Sequence, residues 1–424
     1  MRENNPVRRP ELLLPAKDLE VLKTAVRYGA DAVYIGGEAY GLRAKARNFS
    51  RDDMAEGIRY AHAHGVKVFV TANILAHNSD LAGAEQYFGQ LAELGPDAIL
   101  VADPGMFMLA RKACPNIPIH ISTQANNTNY GTFNFWFEMG AERVVCAREL
   151  SLIEIAQIRR EIPEDREIEA FVHGAMCISY SGRCLLSNYF TGRDANRGAC
   201  THPCRWKYAV MEESRPGVYL PVEENERGTF VFNSRDLCMI DHIPDLLKAG
   251  VDSLKIEGRM KTALYVASVG RAYRQAIDDY LESEELYQSR IPQYMDAIRK
   301  CTYRRFTTGF YYGRPDQDAM VYDSNTYVNE AVFLGIVEAI TPQNRARIMQ
   351  RNKFCVGDHI EVMKPDGRDI PIIVKAMYNE NGEEVDSAPH PKEIIDLELV
   401  LEEDMSVSAD VEEGDLLRVV MQPA

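Results

Sequence analysis

Between positions 169 and 204 the chain places four of its nine cysteines, Cys177, Cys184, Cys200 and Cys204, and a fifth, Cys238, follows. Arg183, Arg193, Arg197 and Arg205 lie among the four, opposed by a single acid, Asp194. Thiolates are the soft ligands of metal ions and metal clusters, and neighbouring cations favour the thiolate form. Six, fifteen, three and thirty-three residues separate the five cysteines in order. Structural zinc sites are usually built from paired knuckles with two to four intervening residues. Only Cys200 and Cys204 fit that pattern. Uneven spacing suits an iron–sulfur cluster gathered from separate loops, and the spacing favours that reading over zinc. Cys114, Cys146, Cys301 and Cys355 stand alone in apolar or helical contexts, as buried thiols do.

The elements that must position this stretch alternate regularly. Short apolar strands are predicted at 11–15, 31–36, 67–72, 98–102, 119–123, 143–147, 168–173 and 252–257. Uninterrupted apolar runs suit parallel strands buried on both faces. The segments between them have helical spacing and stop at Gly29, Gly65, Gly95, Gly140 and Gly250. Helix, glycine, strand, repeated, with eight strands in all, predicts an α/β fold, a (β/α)8 TIM-like barrel over 1–285. The interval after strand seven is far too long for a βα loop, so a Cys-rich insertion spans about 175–228. KYAVMEE, VYLPVEE and TFVFN within the interval predict a small antiparallel sheet, and Cys238 is expected to open the next helix. Loops after the strands of such a barrel carry its chemistry, so the cysteines belong at an active-site mouth. A helical connector is expected over 286–329 and a small β-barrel domain, rich in short strands and turns, over 330–424.

The 424 residues carry a net charge of −15, which argues against a surface that grips nucleic acid everywhere and leaves room for a local basic groove. Positions 380–415 hold fourteen acids and one Lys, whereas 43–51 hold four basic residues and no acid. No apolar run is long enough to span a bilayer, and MRENNPVRRPELLL lacks the apolar core of a secretory signal. A cytoplasmic protein is expected, and in that compartment clustered cysteines read as metal or cluster ligands rather than disulfides.

The run Glu169-x-Phe171-x-x-Gly174-Ala175-Met176-Cys177-x4-Gly182-x-Cys184-x-x-Ser187 resembles the signature of the collagenase-like "peptidase" family of unassigned catalytic type. ELLLPA, GADAVYIGG, the following RNF, SLKIEGRMK and the terminal small β-barrel resemble that family too. The closest similarity is to the bacterial branch that hydroxylates the wobble uridine of tRNA. That resemblance implies oxygen-independent formation of hydroxyuridine, with prephenate used or bound. It also implies an iron–sulfur cluster of the four-iron, four-sulfur kind. Carried over by position, the implied ligands are Cys177, Cys184, Cys200 and Cys238, with Cys204 either replacing Cys200 or Cys238 or sitting beside the cluster.

The residues themselves allow other chemistry. The chain has neither a His-Glu-x-x-His helix nor a Gly-x-Ser-x-Gly elbow. His173, four residues before Cys177, could activate a nucleophilic thiolate in a peptidase, or could be a hydrogen-bonded structural residue. A non-enzymatic scaffold with a structural cluster is a third reading. For the hydroxylase, polar groups are expected at the barrel mouth from Asn73, Asp103, Gln124, Arg148, His173, Asn233, Arg235, Glu257 and Arg259. His173 and Glu257 are the catalytic candidates. Arg148, Arg235, Arg259 and Gln124 are the candidates for binding a small dicarboxylate, because guanidinium forks match carboxylates. Each of these arginines has an acid nearby that could absorb it: Glu149, Asp236 and Glu257. Expected partners are tRNA, the dicarboxylate and a redox protein, with no membrane. RNA contacts are expected from Arg43, Lys45, Arg47, Arg193, Arg197, Arg205 with Trp206, the YRRF segment at 303–306, and Arg345, Arg347, Arg351 and Lys353.

Overall fold

The structure is a computed structural model that describes residues 8–42, 48–177, 179–206, 224–225, 228–229, 235–313 and 328–421. Seven parallel strands run in chain order around a barrel: β1 (Glu11–Pro15), β2 (Ala32–Gly36), β3 (Lys67–Ala72), β4 (Ala98–Val101), β5 (Ile119–Ile121), β6 (Arg143–Val145) and β7 (Glu167–Ala175). A short strand, β8 (Asp236–Cys238), follows the insertion. The eighth barrel strand, β9 (Ser253–Ile256), pairs in parallel with both β7 and β1 and closes the ring. The expected (β/α)8 barrel is therefore present, with helices packed around it. Every glycine expected to stop a helix, at positions 29, 65, 95, 140 and 250, has positive φ. Side-chain caps start the helices: Asp18, Ser50, Asp103, Asn129, Ser151 and Thr262 each accept a backbone N–H of the first turn.

Strand β7 departs most from expectation, and this departure positions the site. It runs two residues past its predicted end. Up to His173 its edge pairs with β9; beyond it, the same edge pairs antiparallel with β8, Cys238 opposite His173 and Asp236 opposite Ala175. Cys238 thus ends a strand rather than opening a helix. The extension carries the chain over the barrel rim toward Cys177. Of the small sheet expected in the insertion, Glu224–Asn225 and Gly228–Thr229 form an antiparallel pair. Most of KYAVMEE, VYLPVEE and TFVFN lies outside the described residues.

After β9 the helix Ala263–Glu282 closes the barrel, and Glu284–Arg299 packs back on it. The C-terminal domain is a six-stranded antiparallel barrel. Its strands follow the spatial order His359–Met363, Leu416–Val420, Ala331–Ile340, Ala346–Met349, Ile394–Leu401 and Asp369–Tyr378, and the last pairs with the first. Leu334, Val337, Ile348, Val374, Leu397 and Leu417 fill it. Buried polar contacts weld it to the first domain. The Tyr28 hydroxyl donates to the Met363 carbonyl at 2.7 Å, and Arg271 pairs with Asp369 at 2.9 Å. Among the described residues no helix is long and apolar enough to cross a membrane.

Candidate functional site

Two glycines of the sequence signature explain how the insertion meets the barrel. Gly174, in β7, has φ +107°, and a Cβ there would lie 2.4 Å from the Glu257 carbonyl oxygen. Gly182 has φ +73°, and its Cβ would lie 2.5 Å from the Gln124 carbonyl oxygen. Only glycine allows these approaches. Buried Ser187 accepts the Thr201 N–H at 3.0 Å, tying the helix Leu186–Thr191 to the segment that carries Cys200. Arg197 pairs with Asp80 at 2.5 Å, and the Leu75 N–H donates to the Asn196 carbonyl, so the insertion is clamped across the loop after β3.

Beneath the insertion a cavity of about 200 Å³ reaches into the C-terminal mouth of the barrel. Cys177, Cys184, Cys200 and Cys204 all line it. Cys238 does not: it is buried in the core opposite His173, hydrogen-bonded with Tyr273, and desolvation pushes its thiol up to about 12. The ligand set implied by the resemblance therefore places three thiols in the cavity and one behind it, while Cys204 shares the cavity. The donor set suits an iron–sulfur cluster in type and number: thiols facing one cavity with arginines nearby. Among the described residues no three Cys, His, Asp or Glu side chains have converged to metal-binding separation, so ligation requires the 177–204 segment to draw its thiols together.

The floor of the cavity is cationic. Arg148 lies with its guanidinium 4.1 Å from the Phe171 ring centroid, donates to the Ala175 carbonyl at 2.7 Å, and has a buried Nε without a partner. Arg259, nearly buried, donates to Thr71 Oγ1 at 2.6 Å. Lys255 projects inward from β9 between the Tyr34 and Phe171 rings, at 4.4 and 5.3 Å, and pairs with Glu169 at 2.6 Å. Glu257 lines the same space, with Tyr34 Oη 3.4 Å from its carboxylate. Asn73 and Gln124 complete the polar rim, Asn73 Nδ2 donating to Ser122 Oγ at 3.0 Å. Below this layer, at the closed end of the barrel, Arg143 holds Glu11, Glu167 and Glu169.

Several expected site residues are elsewhere. Asp103 caps a helix through the Met106 N–H and does not line the cavity. Arg235 sits beside β8, off the cavity, while its neighbour Asp236 pairs with Arg304 at 3.3 Å. Asn233, Arg43, Lys45 and Arg47 lie outside the described residues. His173 is buried under Tyr265, Tyr273 and Phe306, with Nδ1 3.4 Å from the Tyr273 hydroxyl. Desolvation, helped by the Lys261 charge, lowers its pKa to about 3. It does not line the cavity that Cys177 faces, so His173 and Cys177 do not form a thiol–imidazole pair; the imidazole on that cavity's wall is His202, beside Cys200 and Cys204. The YRRF segment is part of the fold: Phe306 packs on His173 and Arg304 is buried on Asp236. In the terminal barrel Arg345 stacks on Tyr378, Arg347 forms a bidentate pair with Asp396, and Arg351 pairs with Glu20. Lys255, Tyr34 and Thr71 were missed from sequence. A lone Lys inside the apolar strand SLKIE was the available signal for the first.

A TIM barrel whose mouth is roofed by a thiol-bearing insertion, with a small β-barrel appended, defines the class. The chain belongs to peptidase family U32: that family's model matches residues 17–321, and the model of the peptidase family U32 C-terminal domain matches 329–418. It is 40% identical over 394 residues to "tRNA hydroxylation protein P1" of Bacillus subtilis, covering 92% of each chain. It is 39% identical to "tRNA hydroxylation protein P" of Escherichia coli, over 90% of this chain and 92% of that one. A 23S rRNA 5-hydroxycytidine synthase of Escherichia coli is 35% identical over 76% of this chain and 48% of its own length.

Proposed function

We propose that this chain is an RNA hydroxylase that forms hydroxyuridine at the wobble position of tRNA without oxygen, with a small dicarboxylate such as prephenate in the barrel mouth. The observation that carries this reading is one continuous cavity with four thiols in its roof and Arg148, Lys255 and Arg259 in its floor. The names of the RNA-hydroxylating relatives support the reaction class. Cys177, Cys184 and Cys200 would hold an iron–sulfur cluster, with the fourth ligand from Cys204 or Cys238. Bound there, the cluster would supply one-electron chemistry that no side chain can. The protein's own residues bind and orient. Arg148 and Arg259 present planar forks to carboxylates, and Lys255 adds a charge at the base. Glu257 is the group placed to hold or accept a proton beside the bound anion. The insertion roofs the site, and burial of the floor residues strengthens each of these interactions. With water as the source of the hydroxyl oxygen, the reaction releases two protons and two electrons, and a redox protein from solution would accept the electrons.

The family name keeps a Cys/His peptidase in view, but the buried position of His173 argues against that residue as its base. The test has two arms on anaerobically purified protein. Iron and sulfide are measured in wild type, Cys177→Ala, Cys204→Ala and Cys238→Ala. Wobble nucleosides are measured in tRNA from a deletion strain carrying each variant. Iron with equal sulfide, absent from Cys177→Ala, is expected, and the last two variants decide the fourth ligand. Unchanged wobble nucleosides in the deletion strain would sink the reading, and so would zinc in place of iron.

A further inference from the structure

The insertion leaves large aromatic rings in solvent. Tyr189 is 82% exposed, Phe190 46% and Trp206 41%. They form a run: Tyr189 and Phe190 ring centroids are 5.1 Å apart, edge to face, and Phe190 and Trp206 are 6.1 Å apart. The run borders the cavity on both sides. Leu186, one turn before Tyr189, lines the cavity, as does Cys204, two residues before Trp206. Half-exposed Tyr180 lines it too. Burying rings of this size is worth kilocalories, so leaving three together in water, beside a cavity, marks a surface kept for a partner.

Charge narrows the partner. Between Cys177 and Trp206 the chain has four Arg and one acid, although the whole protein carries −15. Arg183, six residues before Tyr189, and Arg193, three residues after Phe190, are both exposed. Exposed aromatic faces with neighbouring guanidiniums are how proteins hold unstacked bases and their phosphates. A duplex hides its base faces and cannot use the rings.

We propose that Tyr189, Phe190 and Trp206 form a stacking platform for single-stranded RNA, on which nucleotides flanking the target are laid while the target base enters the cavity. The proposal rests on the RNA-hydroxylase reading and deepens it. Arg183 and Arg193 take the adjoining phosphates. Tyr189 and Phe190 escaped sequence reading because two adjacent aromatics on a helix resemble core.

Trp206 provides the probe, because the other tryptophan, Trp136, is buried with its Nε1 donating to Asn127 and can be replaced by Phe. In that background, full-length protein with its metal content intact is titrated with an anticodon stem–loop RNA and with a fully paired duplex. The stem–loop is expected to quench Trp206 and to bind at least about tenfold more tightly than the duplex. Tyr189→Ala and Phe190→Ala should each weaken stem–loop binding about tenfold, while Tyr189→Phe stays within about twofold, since stacking needs the ring and not the hydroxyl. Arg193→Gln should lower the salt dependence by about one unit of slope. If wild type binds and modifies RNA but the alanine variants bind it equally well, the platform is overturned and the hydroxylase reading stands. If wild type binds no RNA, both fall. If Tyr189→Ala changes only the sedimentation of the protein, the rings serve contact between copies and the proposal is wrong.

Discussion

Arg148 lies 4.1 Å above the Phe171 ring and is fixed there by the Ala175 carbonyl, so a strand-end arginine is held in one orientation at the cavity floor. The Ala175 carbonyl takes Nη1, the Phe171 ring fixes the guanidinium plane, and the buried Nε has no hydrogen-bond partner. If the site takes a dicarboxylate, Arg148→Gln should weaken prephenate binding by about tenfold or more, measured calorimetrically. Arg148→Lys should recover little of it, because an ammonium keeps the charge and loses both the fork and the stacked plane. Full affinity in Arg148→Gln would remove this residue from anion recognition.

Gly174 tests how the rim is built. Its positive φ and the 2.4 Å approach of a Cβ to the Glu257 carbonyl mean that Gly174→Ala must push β7 away from the strand end bearing Glu257. We expect a loss of about 2–4 kcal/mol in urea unfolding, from strain and displaced pairing together. Gly192→Ala, also at positive φ but with open space around it, should cost only the backbone strain of about 1 kcal/mol. Equal losses at the two positions would contradict the contact argument.

The barrel was legible in the sequence because its strands are uninterrupted apolar runs and its helices stop at glycines that adopt positive φ. Local chemistry and global fold agree there. The site was legible only in part. Gln124, Arg148, Glu257 and Arg259 could be placed because residues at strand ends must face the mouth. His173 and Arg235 misled for a tertiary reason: β7 overruns the rim and β8 pairs with its extension, which buries His173 and carries Arg235 aside. No periodicity signals such a hand-off between partners. Arg345, Arg347 and Arg351 misled because a basic run looks free until its stacking ring or acids arrive from elsewhere in the chain.

Glu169, the first residue of the signature, is fully buried between Lys255 and Arg143. Arg143 keeps Glu11 and Glu167 if Glu169 is removed, but Lys255 loses the only acid it pairs with among the described residues. Glu169→Ala should therefore destabilise the barrel by about 3–5 kcal/mol, the usual cost of orphaning a buried charge. Adding Lys255→Met should restore a substantial part, because the uncompensated ammonium is gone. Denaturant unfolding of the two single variants and the double variant measures the coupling. Additive losses would show that the pair is not a unit.

His173 gives the protein an acid limit whose sign follows from its burial. Its folded pKa of about 3 lies below the ordinary value of 6.5, because desolvation and the Lys261 charge oppose its protonation. Above about pH 6.5 the residue is neutral in both folded and unfolded chains and costs nothing. Between 6.5 and 3 the unfolded chain takes up a proton that the folded one refuses, so stability falls as pH falls. Fully buried His120, shifted the same way beside Arg143 and Lys255, adds to the loss. His173 contributes up to about 1.4 kcal/mol per pH unit within that window. Replacing the imidazole by an amide removes the titration while keeping a polar group near the Tyr273 hydroxyl. His173→Gln should thus lower the pH slope of unfolding free energy by about one proton between pH 4 and 6, leaving the slope above pH 7 unchanged. Urea titrations at closely spaced pH values measure it. Identical slopes for wild type and variant would mean that His173 is protonated in the folded protein, which would reopen its candidacy as a base.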